Sequence, residues 1–260
     1  MIDQLGRHID TTAAFKRIVC LVPSQTELLC DLGLQDSLVG ITKFCVHPNN
    51  LNKTVTLVGG TKNVHWETLK SLKADIVLCN KEENSLEIVQ ELETFTQVHV
   101  ADIYTLEDCY QLMEDYGTLF KVTEQSHNII EQIQRQAKSY ANFMIGRPRP
   151  KVAYLIWKKP WMLAAGDTFV NHLLEVAGYD NAFKHLLRYP QVELSDLKNA
   201  AIDILFLSSE PYPFSEKHKK ELETLLPGIQ IVLVDGEFFS WYGSRLRLAF
   251  NYFRALSLSL

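Results

Sequence analysis

A chain of 260 residues is long enough for one large domain or two small ones, each with a complete core. Its 47% hydrophobic and 22% charged residues, without a low-complexity tract, are those of a globular protein. A formal net charge of -5 and no basic stripe argue against a nucleic-acid partner, and no apolar run approaches the ~18 residues of a membrane span.

In chain order, Arg17-Ile18-Val19-Cys20-Leu21-Val22 reads as a strand leading through Pro23-Ser24 into a helix from Thr26 to Leu32, closed by Gly33. Leu38 to Ile41 is a second strand, followed by Phe44 and His47-Pro48. Val55 to Val58 is a third, leading into Gly59-Gly60 and a short helix from Trp66 to Leu72. Asp75 to Cys79 precedes the loop Asn80 to Asn84 and a helix through Thr94; Val98-His99-Val100 is a fifth strand. Strands alternating with helices imply parallel pairing through right-handed crossovers.

The rhythm then changes. Ile129, Ile133, Ala137, Ala141 and Ile145 recur every four residues and predict a helix over 123–145, about 35 Å long. Gly146-Arg147-Pro148-Arg149-Pro150 stops it. Val152 to Ile156 is the next strand, running into Trp157-Lys158-Lys159-Pro160-Trp161. Asp167 is expected to cap a helix to Ala177 that Gly178 ends. A strand from Asp203 to Leu207, a helix from Ser215 to Leu226 and a strand from Ile229 to Val234 complete the alternation. The expected organisation is α/β: two Rossmann-like lobes with mostly parallel sheets, 1–121 and 147–260, joined by one long backbone helix, 122–146. Such a linker predicts little hinge closure.

The four tryptophans, Trp66, Trp157, Trp161 and Trp241, all fall outside the predicted strands. In open parallel sheets ligands bind beyond the carboxyl ends of the strands, where tyrosine and tryptophan offer flat area with one polar handle. Core packing alone would scatter these residues through helices and strands, so a ligand-facing role is expected. Polar candidates lie at the same ends. Ser24 opens a helix, as an ordinary N-cap or as part of an anion or carbonyl site. Asn80 follows the fourth strand, and Glu210 and Arg245 follow strands of the second lobe. Arg245 suits a carboxylate or phosphate, or is a surface arginine at a helix start.

Other chemistries have little support. Five cysteines (Cys20, Cys30, Cys45, Cys79, Cys109) form no C-x-x-C pair and read as small core residues, suited to a reducing compartment. Of eight histidines, only His47 and His65 occupy post-strand loops; the others are scattered, most at positions that read as solvated, so no metal site is expected. There is no G-x-G-x-x-G, Walker loop or G-x-S-x-G, and no acid–base pair, so no catalytic residue is assigned. The amino-terminal stretch lacks an apolar segment of signal-peptide length. The expected compartment is the cytoplasm for the sequence as it stands, and the periplasm or cell surface if an export leader precedes it.

Five stretches, "RIVCLVPSQTELLCDLGLQDSLVGIT", "WETLKSLKADIVL", "AAGDTFVNHLLEVAGYDNAF", "YPQVELSDL" and "SSEPYPF", together resemble the substrate-binding proteins of cobalamin and ferric-siderophore ABC importers. The similarity runs from Arg7 to the end and is nearest the cobalamin-binding type, whose aromatic-Pro-Gln-Val stretch matches Tyr189-Pro190-Gln191-Val192. It implies a non-catalytic, class III periplasmic-binding-protein-like clamp that holds a metal chelate in an aromatic cleft between two lobes, a cobalamin-like corrinoid first and a ferric siderophore or haem second. The implied contacts are Ser24 and Phe44 or His47 in the first lobe, and Trp157, Trp161, Tyr189, Trp241 and Arg245 in the second. The rings of residues 236–246 are expected to line the binding face, with Phe238 or Phe239 in the core. The resemblance further implies no intrinsic cofactor, a monomer, and an ABC permease as partner. Glu67 matches the first-lobe docking glutamate, but the second-lobe position falls on Ser195, with Glu193 and Asp196 adjacent. The alternative is a cytoplasmic sensor of such a chelate, or an enzyme acting on it.

Overall fold

The computed structural model describes residues 1–12 and 14–260. The first part carries β1 (Ile18–Cys20), α1 (Pro23–Asp31), β2 (Leu38–Ile41), α2 (Leu51–Thr54), β3 (Thr56–Leu57), α3 (Trp66–Ser71), β4 (Ile76–Asn80), α4 (Leu86–Glu93), β5 (Gln97–Ala101) and α5 (Leu106–Leu119). The long helix α6 (Thr123–Met144) follows. Then come β6 (Lys151–Trp157), β7 (Trp161–Leu163), α7 (Phe169–Val176), β8 (Asp180–Asn181), β9 (Gln191–Val192), α8 (Leu194–Asn199), β10 (Ile204–Ser208), α9 (Glu216–Leu225), β11 (Gln230–Val234), α10 (Glu237–Ser240) and α11 (Leu246–Ser259). The chain forms two compact α/β units, one of Met1–Gln134 with Tyr242–Arg247 and one of Arg135–Trp241 with Leu248–Leu260.

The first unit contains a five-stranded parallel sheet in the order β3-β2-β1-β4-β5. β1 and β4 are buried along their whole length, as expected of central strands covered on both faces. Val19, Leu21, Val77, Cys79, Val98 and Val100 pack with Leu69, Val89 and Leu92 into one core. Helix ends follow local chemistry. Gly33, with φ 81°, lies two residues past the end of α1. The Thr105 hydroxyl accepts from the Asp108 N–H while Asp108 accepts from the Thr105 N–H, opening α5.

The second unit has the sheet order β11-β10-β6-β7-β9, with β8 also pairing β6. β6, β8, β10 and β11 are parallel, whereas β7 returns antiparallel on β6 and β9 antiparallel on β7. This corrects two expectations. Trp157 and Trp161 do not lie beyond the strands: they are the last residue of β6 and the first of β7, because the chain reverses through Lys158-Lys159-Pro160 with Lys159 at φ 62°. Nor is Asp167 the cap of α7. It sits at φ 57°, and Thr168, in the extended conformation a cap requires, accepts the Asn171 N–H at 3.1 Å.

His99 is the exception among the scattered histidines, of which His8, His127 and His185 are exposed and His172 and His218 half-buried. It lies on β5 with no solvent exposure, and neither ring nitrogen has a hydrogen-bond partner among the described residues. Its ring meets Tyr116 edge-on at 5.2 Å. Burial lowers its pKa from 6.5 to about 4, with Asp3 opposing and Arg7 reinforcing the shift. The unfolded chain therefore takes up a proton that the folded chain refuses. Stability is fully present above the unfolded value and falls as pH drops from 6.5 toward 4, by about 3 kcal/mol for this one group. Urea denaturation of His99→Phe should show a shallower loss of stability over that window than the parent chain; equal slopes would exclude His99 as the cause.

Candidate ligand-binding site

Parallel pairing in the first unit places the carboxyl ends of all five strands on one edge, and the loops leaving that edge carry the first-lobe candidates. After β1, Ser24 is the second residue of α1 and is 3% exposed. Its neighbour Gln25 is the centre of a buried network: the Tyr116 hydroxyl donates to Gln25 Oε1 at 2.7 Å, and Gln25 Nε2 donates to the Tyr242 hydroxyl at 3.0 Å and the Cys79 carbonyl at 3.2 Å. One helical turn along, Glu27 accepts from Arg245 Nε and Nη2, both at 2.9 Å, and Asp31 accepts from Arg247 Nη2 at 2.6 Å. Arg245 is thus 7% exposed and bound in a two-pronged ion pair. Burial raises the Glu27 pKa, with Arg245 and His47 opposing the shift.

Beyond β2, Phe44 is 50% exposed with Lys43 Nζ 5.1 Å from its ring centre, and His47 is half-buried. Trp66 begins α3, half-buried against the first core, and Glu67 beside it is exposed. Asn80 ends β4 and is buried. Its Oδ1 accepts the Glu82 and Glu83 N–H groups at 2.8 and 3.2 Å, and its own N–H donates to Asn84 Oδ1 at 2.9 Å. Asn80 therefore shapes its own loop.

In the second unit, the reversal from β6 to β7 brings aromatic rings together. Trp157, 39% exposed, meets Tyr212 edge-on at 5.6 Å; Tyr212 contacts Phe214 at 4.7 Å; and Phe214 stacks on Trp161 at 6.4 Å with planes 9° apart. Lys158 Nζ lies 5.5 Å from the Trp161 ring and is ion-paired with Glu221. Tyr189, half-buried under the Arg188 guanidinium, precedes β9, which pairs β7 through Trp161 and Val192. The Glu210 carboxylate accepts from the Ser240 hydroxyl at 2.6 Å and from Trp241 Nε1 at 2.9 Å, and burial raises its pKa. Gly236 permits this approach, since a Cβ there would stand 2.6 Å from Glu210 Cγ. Trp241 is 8% exposed, Phe239 is fully buried against Tyr154 and Phe253, and Phe238 stacks on Tyr252 at 4.6 Å.

The candidates therefore separate into two sets. Phe44, His47, Trp66, Trp157, Trp161 and Tyr189 present surface. Ser24, Asn80, Trp241 and Arg245 are internal, and Glu210 is held by the Trp241 indole. The stretch from residue 236 to 246 chiefly packs: its rings fill the core or bond within it, since large aromatics gain most from removal from water. Among the described residues no three histidine, cysteine or carboxylate side chains gather into a possible metal site.

A family model for periplasmic binding proteins matches residues 18–226. The chain belongs to that family. This is a family of substrate-binding transport proteins rather than enzymes. The chain is 28% identical over 180 residues to an uncharacterised ABC transporter substrate-binding lipoprotein, YvrC, of Bacillus subtilis, covering 64% of this chain and 55% of that protein's length. It is 20% identical to a vitamin B12-binding protein of Pectobacterium carotovorum, covering 92% of this chain and 88% of the relative. The fold matches a periplasmic heme-binding protein, RhuT, of Roseiflexus sp. RS-1 with a TM-score of 0.80 at 17% identity, covering 95% of this chain and 98% of the other.

Sequence reasoning missed Gln25, Glu27, Phe214 and His218 in this binding protein. Glu27 and Arg245 are 218 residues apart, so nothing local marks them as a pair. Removing one side of that pair strands a charge in a buried place. Arg245→Met should lower the unfolding free energy by about 3 kcal/mol, and adding Glu27→Gln should restore part of it. Denaturant titration of the two variants checks this, and additive losses would show that the pair is not coupled.

Proposed function

We propose that this periplasmic binding protein carries a metal chelate, a cobalamin-like corrinoid before a ferric siderophore or haem, for an ABC importer. The observation that carries the reading is the contiguous ring group Trp157–Tyr212–Phe214–Trp161, in which the buried Phe214 backs the half-buried Tyr212 and Trp161 and Trp157 is the exposed member. A macrocycle laid on such rings gains most of its binding from buried apolar area, roughly 25 cal/mol per Å², with few polar contacts needed for orientation. The histidine in the group, His218, has both ring nitrogens engaged. The group thus supplies flat surface rather than an imidazole ligand, which favours a chelate whose metal is already fully coordinated over haem iron seeking an axial ligand. The relative named as a vitamin B12-binding protein, aligned along most of this chain, supports the same choice.

Phe44, His47 and Trp66 are the first-unit contacts in this reading, and Glu67, exposed in the first turn of α3, is the contact to the permease. The second-lobe docking role is weaker on chemical grounds. Asp196, the third residue of α8, accepts the N–H of the cap residue Glu193 at 2.8 Å, and Ser195 carries no charge.

Tryptophan fluorescence titration with cyanocobalamin, haem and a ferric siderophore tests the proposal. Saturable quenching by cyanocobalamin is expected, and Trp157→Ala or Trp161→Ala should weaken it by at least about tenfold while each variant still unfolds in one cooperative transition. Undiminished affinity in both variants would remove the ring group as the binding surface, and no response to any probe would remove the chelate reading.

A further inference from the structure

The ring group rests on one titratable side chain. His218 is the third residue of α9, whose N-cap is Ser215. Its Nδ1 lies 3.1 Å from the Ser215 backbone nitrogen and 3.0 Å from the Ser215 hydroxyl, and its Nε2 lies 3.2 Å from the Tyr212 hydroxyl. A backbone N–H can only donate, so Nδ1 must offer a lone pair; the proton of the neutral ring is then on Nε2, facing Tyr212. The imidazole also meets Tyr212 at 5.3 Å and Phe214 at 5.6 Å, both edge-on. Tyr212 and Phe214 in turn are the rings that touch Trp157 and Trp161. One neutral histidine thereby ties the exposed Trp157 and the half-buried Trp161, through Tyr212 and Phe214, to the start of a helix.

Protonation weakens one end of this tie. A proton on Nδ1 faces the Ser215 N–H, donor against donor, so that bond is lost and the ring must shift toward the Ser215 hydroxyl, which can turn to accept, while the Tyr212 bond remains. The surroundings oppose the charge. Partial burial acts first, then Lys158 from the β6–β7 turn; Lys217 on α9 adds to this and Glu221 on α9 opposes it. The partial positive charge of the α9 amino terminus acts in the same direction as the lysines. Lys158 itself is ion-paired to Glu221, so the carboxylate that would favour a cationic His218 is already engaged.

We propose that His218 is the positioning residue of the Trp157–Tyr212–Phe214–Trp161 surface, and that its protonation loosens this surface so that ligand is held at neutral pH and let go in mild acid. The inference rests on the ring group being the ligand surface. Because the neutral form is favoured in the folded chain, order in the ring group is present above the ordinary histidine range and declines as pH falls below 6.5.

The test compares the parent chain with His218→Gln, whose side chain accepts and donates in place of the two ring nitrogens but takes no charge. Cyanocobalamin affinity of the parent should weaken about tenfold between about pH 7.5 and about pH 5, and the His218→Gln profile should be flat over that range. Parallel profiles for the two proteins would overturn the inference while leaving the ligand assignment standing. Near-UV circular dichroism of the ligand-free proteins provides a separate readout: the tryptophan band should diminish with acid in the parent and persist in His218→Gln. If cyanocobalamin fails to bind at about pH 7.5 yet this band follows His218, the ligand reading fails and the positioning role stands. A band that is unchanged in the parent, or that falls equally in both, overturns it. His99 titrates in both proteins and cancels in the comparison.

Discussion

Parallel strand pairing is the constraint from which the placement of every candidate side chain follows. Ile18 to Cys20 lies against Ile76 to Leu78 in the same direction, so the chain must cross back over the sheet face before each new strand. Helices fill the crossovers, and the carboxyl ends collect on one edge. Phe44, Trp66 and Asn80 belong to different loops, yet all three leave the sheet at that edge. The second sheet obeys the rule for β6, β10 and β11 and breaks it at β7 and β9. The break has a consequence for chemistry. An antiparallel return of only three intervening residues keeps Trp157 and Trp161 within one turn of each other, which a helical crossover would have separated by the depth of a layer.

A second constraint is that polar groups taken out of water must find partners. The segment 242–247 illustrates it. The Tyr242 hydroxyl accepts from Gln25, the Gly243 N–H donates to Cys109 Sγ at 3.1 Å, and Arg245 and Arg247 pair with Glu27 and Asp31. These bonds assign the segment to the first unit although its neighbours on both sides belong to the second. They also explain why Arg245 is a poor candidate for a ligand carboxylate. A guanidinium already held in two-pronged fashion would have to leave a buried carboxylate uncompensated before it could serve another anion.

Much of the architecture was legible because hydrophobic period and turn chemistry are local signals. The four-residue spacing from Ile129 to Ala141 gave α6 to within a residue of its ends, and the apolar runs gave β1, β4, β10 and β11. β7, β8 and β9 are two or three residues long and carry no period to read, so they were invisible. The candidate site was less legible for a different reason. A tryptophan near a strand end has the same local sequence whether it presents its face, as Trp157 does, or donates inward to a carboxylate, as Trp241 does to Glu210. The partner that decides between the two lies about thirty residues or more away in sequence, and no pattern of neighbours encodes it.

Exposed aromatic rings are unfavourable in the free protein unless their own contacts hold them, and here they do. Trp157 and Trp161 each contact a proline-flanked aromatic, Tyr212 or Phe214, and the Lys158 ammonium lies over Trp161 while pairing with Glu221. Each edge-on or stacked pair contributes about 1 kcal/mol beyond its buried area. The rotamers are thereby fixed during folding rather than at the moment of binding, where ordering a large side chain costs about 1 kcal/mol apiece. Rigidity of this kind favours a ligand that is itself rigid and flat. A flexible ligand would still lose its own freedom on a surface that cannot adjust to it, whereas a macrocycle brings little freedom to lose. The same reasoning places the tuning of affinity behind the rings, in the side chains that hold them.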